Sequence, residues 1–173
     1  MFDENLARAL NFIEEDVSAN REGRMTVMQY AKLRHYIKDE LKWSIVGIPF
    51  FVGLILLLGF SLSTGRGVVD FAAGVIYLLA FLAAVVLVRL VLSIRRGYLA
   101  DLNEGRIKAV QGKVTINRTE DGSRILIPIE DGCIGFNISR EAASVFREGE
   151  VYRIYYAPRC HYLLSAESVK VKS

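Results

Sequence analysis

Cys160 and His161 are neighbours, and that pair is the one place in the chain where residue type and spacing suggest nucleophilic or metal chemistry. A thiolate beside an imidazole can attack a carbonyl carbon or help hold a soft metal. Neighbouring residues on a strand, however, point to opposite faces, and spacing places no third ligand or orienting carboxylate near them. His35 lies on a charged helical stretch, and Cys133 has no partner at CxxC distance. The motifs GxSxG and HExxH are absent, as is a phosphate loop ending in GKS or GKT. The residues therefore support no catalytic, cofactor-binding or metal assignment, and the expectation is a non-enzyme without cofactors. Two cysteines without ligand spacing fit a reducing compartment.

A second pair, Asp70 and Arg89, belongs to a long apolar run. Charge inside a membrane is by default a functional feature. If the chain were a subunit of an oligomeric channel or transporter, these two would carry the conduction. A structural role is preferred for both. Asp70 sits near the end of its run, where it can pair with Arg66 or face water. Arg89 is five residues from Ile94, about 7.5 Å at helical rise, so its stem can snorkel outward.

The remaining candidates are contact residues. Leu6, Leu10, Ile13 and Val17 recur on one face of an amphipathic helix expected over residues 3–19. Ala73, Ala80 and Ala84 form a small-residue face that lets another helix approach. Tyr152, Tyr155, Tyr156 and Tyr162 cluster in the last hairpin, as core filling or as a protein contact.

The elements that must position these groups follow from periodicity. Two apolar runs, about 43–62 and 68–94, each reach the roughly 20 residues needed to span a bilayer, with Ser63–Gly67 between them. The reading is a transmembrane helical hairpin over 43–96. Lys32, Arg34, Lys38 and Lys42 precede it, and Arg95, Arg96, Arg106 and Lys108 follow it. That bias places both termini of an integral, multi-pass protein in the cytoplasm, with a bacterial cell membrane preferred over an endoplasmic reticulum membrane. Residues 1–42 form a cytoplasmic amphipathic helical segment. Within it Thr26 and Gln29 make a capping box, and Tyr30, Leu33, Ile37 and Leu41 make a stripe. Residues 97–105 are a juxtamembrane linker.

Residues 106–173 read as a small all-β domain. Asp121-Gly122 and Asp131-Gly132 are two-residue turn signals. Centring turns on them pairs Ile116 with Ile127, Val114 with Ile129, Ile129 with Ile134, Ile127 with Phe136 and Ile125 with Ile138. Pro128 predicts an interrupted ladder. Ser139 caps a short helix that stops at Gly149, and strands follow at Val151–Tyr156 and His161–Ser165. Three strands, a helix and two strands is the element order of a five-stranded OB-like barrel. In architecture alone this layout resembles NfeD-type membrane proteins, and no residue motif carries the likeness further. The fold class is thus an α+β membrane protein with N-terminal amphipathic helices, a transmembrane hairpin and a C-terminal barrel.

With a net charge of +3 spread over both signs, and no aromatic residue on the outward positions of the second and third strands, nucleic acid is not expected as a partner. The expected partners are the lipid bilayer and other membrane protein subunits or a second copy. The expected function is anchoring, scaffolding or regulation through protein–protein contacts.

Overall fold

The computed structural model describes residues 3–63, 70–119, 122–130 and 132–169. Its elements are α1 (Glu4–Leu10), α2 (Glu14–Arg21), α3 (Val27–Ser63), α4 (Asp70–Glu104), β1 (Lys108–Lys113), β2 (Thr115–Thr119), β3 (Gly122–Ile129), β4 (Gly132–Ile138), α5 (Arg140–Val145), β5 (Val151–Ala157) and β6 (Tyr162–Ser168). They form two compact units. The first holds residues 1–34 and 100–173, and the second holds residues 35–99.

The expected membrane architecture is corrected. Among the described residues no helix is long and apolar enough to cross a membrane. Charge interrupts the described stretches. The described start of α3 carries Lys32, Arg34, Lys38, Asp39, Glu40 and Lys42, and the unbroken described stretch of α4 from Phe81 carries Arg89, Arg95 and Arg96. The transmembrane hairpin, the multi-pass placement with cytoplasmic termini and the bacterial-membrane assignment therefore fall together. Most of the connector, residues 64–67, lies outside the described residues. The expected linker at 97–105 is helical as far as Glu104.

The single helix expected over 3–19 is two helices. Asp3 caps α1, its Oδ1 accepting the N–H groups of Asn5 and Leu6 at 3.0 and 3.1 Å. Asn11 then takes a left-handed conformation, φ 55° and ψ 52°, which asparagine tolerates better than most residues. The Asp16 carboxylate restarts the chain by accepting the Ile13 N–H at 3.0 Å. The break turns Phe12 inward, with 4 % of its surface exposed, and leaves Ile13 outside at 48 %. The Thr26–Gln29 capping box is present. Gln29 N–H donates to Thr26 Oγ1 at 3.2 Å, and Thr26 N–H donates to Gln29 Oε1 at 3.3 Å.

The β strands form two three-stranded antiparallel sheets, ordered β1-β5-β6 and β2-β3-β4. They do not close into a barrel, which corrects the OB-like expectation. The run expected as one strand through 110–116 divides at Val114. That residue donates its N–H to the Glu150 carbonyl at 3.0 Å and accepts the Gly149 N–H at 2.9 Å. The chain leaves one sheet there and enters the other. The β2–β3 ladder ends at Thr115 with Leu126, short of Pro128, which has no N–H to extend it. Gly112 lies against this seam. A Cβ there would come within 2.7 Å of Ile127 Cγ2 and 3.4 Å of the Pro128 carbonyl.

Both hairpins are shifted from the expected register by two residues. Ile116 pairs with Ile125, Ile125 with Phe136, and Ile127 with Ile134. The last pairs are Thr119 with Gly122 and Ile129 with Gly132, so Gly122 and Gly132 open the following strands. Gly132 takes φ +137°, a value that favours glycine. A shift of two preserves the side-chain faces, so the apolar pairing survives.

One core joins both sheets to the helices. Leu6, Phe12 and Val17 pack in a cluster with Val110, Val114, Ile125, Ile127, Phe136, Ile154 and Ala166. Ser139 caps α5, its Oγ accepting the Ala142 N–H at 3.1 Å. Phe146, just past α5, meets Tyr152 edge-on at 4.9 Å between ring centres.

Gly112→Val should destabilise the first unit by about 1–3 kcal/mol, the usual cost of overpacking. Chemical denaturation of the variant beside the wild type measures this.

Candidate interaction surface

Asp101, in the last turn of α4, is 1 % exposed. Its Oδ2 accepts the N–H groups of Arg159 and Cys160 at 2.7 and 2.9 Å. The carboxylate thereby fixes the turn between β5 and β6 and places Cys160 inside. Burial, with Asp101 close by, pushes the Cys160 thiol up to about 12. A thiol in that range stays protonated at neutral pH and makes a poor nucleophile or metal ligand. His161 takes φ 52° and stands exposed, edge-on to Tyr156 at 6.0 Å between ring centres. The adjacent pair is thus part of a capped turn. Among the described residues no group of three or more His, Cys, Asp or Glu could hold a metal.

A second polar assembly ties α2 and the start of α3 to β6. Asp16 accepts the Thr26 hydroxyl. Gln29, 2 % exposed, donates its amide to the Leu164 carbonyl at 3.2 Å. Asn20 donates to Ser165 Oγ at 2.6 Å. Arg21 makes a two-pronged ion pair with Glu167, and the Tyr155 hydroxyl donates to the same carboxylate at 2.7 Å. Burial alone would push the Glu167 carboxyl up. Hydrogen bonds from Arg21 and Tyr155, and the charges of Arg21 and Arg153, outweigh that and hold it below the usual carboxylate range. Asn20 Oδ1 is buried without a partner.

The residues expected to make contacts are dispersed. Leu6 and Val17 are in the core, Leu10 is half-buried and Ile13 is exposed. Tyr152, Tyr155 and Tyr156 are 2, 3 and 6 % exposed, and Tyr162 is half-buried. The side chains of Asp70, Ala73 and Ala80 lie outside the described residues, whereas Ala84 is half-buried and Arg89 exposed. The sequence reading missed the flank of the alanines. Leu78, Leu79, Phe81, Leu82 and Val86 of α4 are all at least half exposed. Val85, Val86, Leu87 and Val88 are exposed in succession, which covers a full helical turn. The apolar run itself is the signal in the sequence. Of the open grooves, one of about 1180 Å³ is lined by charges of both signs, among them Asp3, Arg8, Lys113, Glu141 and Arg147. It converges no catalytic set.

The chain matches no family model, no curated protein and no solved structure.

Two outcomes follow. Because the folded-state pKa of Glu167 lies below its unfolded value, its contribution to stability is present above the unfolded carboxylate pKa. It is lost as pH falls through the folded one. Thermal melts across that acid range should show the loss in the wild type, and Glu167→Gln should flatten it. For the thiols, a maleimide should label exposed Cys133 in the native protein and leave Cys160 unmodified until denaturant is added. Mass spectrometry of the labelled peptides reads this directly.

Proposed function

We propose that the chain is a non-enzymatic interaction protein, a scaffolding or regulatory subunit that works through protein–protein contacts. The reading rests on the exposed apolar surface of α4. A helix that is apolar on every side is normally covered in the working state, and contiguous apolar patches of this kind mark interaction sites. Four successive exposed aliphatic side chains, Val85 to Val88, leave no polar side with which to face water. The occupant favoured here is a second copy of the chain, since identical apolar helices can cover one another in a closed pair. The first unit, with its own core and capped turns, is then the module that the assembly presents. A conduit role depended on spanning helices and is set aside with them. The protonated thiol of Cys160 weighs against an enzyme built on that cysteine.

Light scattering on the purified full-length chain tests the proposal. The wild type should run as an oligomer of defined mass. Leu82→Glu with Val86→Glu, one helical turn apart, should reduce it to a monomer with unchanged helical circular dichroism. A wild type that is a stable monomer with no bound partner would sink the reading.

A further inference from the structure

The exposed apolar face of α4 also carries charge, and the charge sits at one end. Leu78, Leu79, Leu82 and Val86 are each at least half exposed, and at about 100° per residue they share one face of the helix. Val75, exposed and apolar, continues that face toward the amino end. Toward the carboxyl end the same face carries Arg89, Ser93 and Arg96, all exposed. The face is thus apolar from Val75 to Val86, and polar and cationic beyond.

We infer, on the reading above that a second copy covers α4, that the two helices pack antiparallel with Leu82 at the centre of the contact. In a parallel two-fold pair each residue of the face would meet its own counterpart, setting Arg89 against Arg89 and Arg96 against Arg96. Like charges held side by side are destabilising, and more so where apolar neighbours exclude water. In the antiparallel pair Leu82 meets Leu82, Leu78 meets Val86 and Leu79 meets Val85. Arg89 falls opposite Val75, at the rim, where its long side chain reaches water. At helical rise the two Arg89 then stand about 21 Å apart along the axis. That is well beyond the roughly 8 Å over which charge acts at physiological salt. The contact is isologous and closes after two copies, and the carboxyl ends of the two helices point in opposite directions.

Double electron–electron resonance on the full-length chain tests the direction. Ser93→Cys in a Cys133→Ser background, with Cys160 buried, takes one nitroxide per copy at the polar end of the face. The antiparallel pair should hold the two probes about 33 Å apart along the axis. A parallel pair would hold them at about the 8–10 Å between packed helices, where the continuous-wave spectrum broadens instead. Arg89→Leu with Arg96→Leu removes the charge that sets the direction, and a population at the short separation should then appear. A dimer with both arginines present and the short separation overturns the inference. So does a double variant that keeps only the long one. A chain that is monomeric by light scattering overturns the association itself, which tells the two failures apart.

Discussion

The hydrogen bonds that seat α2 and the start of α3 on β6 are the constraint on which the folded unit depends. Val17 and Leu33 are buried with those helices standing where Asp16, Asn20, Arg21 and Gln29 hold them. Asp16, Asn20 and Gln29 lose water when the helices dock, and a buried group left unpaired costs about 1–3 kcal/mol. Docking is therefore favourable only in the arrangement that satisfies nearly all of them. Apolar packing supplies the drive, and the polar set removes the alternatives. Asn20 Oδ1, buried without a partner, is the place where that match is incomplete.

The open shape of the β region comes from a different constraint. A five-stranded barrel needs a continuous ladder around its wall. Here the ladder stops ahead of Pro128 on one side, and Val114 is held by Gly149 and Glu150 on the other. The chain turns out of one sheet and into the next at that point. The sheets then meet through Gly112, Ile127 and the rest of a shared core. One consequence is an edge on β4 that a closed barrel would have removed.

Three buried ionisable groups have structural places in the fold. Asp101 caps a turn, Cys160 fills the interior below it, and Glu167 pairs with Arg21 and Tyr155. The exposed apolar surface along α4 is the feature on which the proposed association rests.

Much of this was legible from local sequence. The capping box at Thr26 and Gln29, the cap at Ser139 and the inward face of Ile116, Ile125, Ile127 and Phe136 depend on neighbours within a few residues, or on a period of two. The hairpin register was legible only to within two residues, because an Asp-Gly pair suits either position and both keep the same face inward. The break at Asn11 was hidden, since an amphipathic stripe continues across it in the sequence. The partners of Asp101, Gln29 and Glu167 could not be read at all. They lie across the fold, and no spacing rule connects a carboxylate on a helix to the turn it will cap. The sequence by itself determined most of the helical and strand segments and which faces are apolar, because those properties are local. Only the tertiary structure decided that β1 joins β5 and that the barrel stays open. Those outcomes depend on groups far apart in the chain.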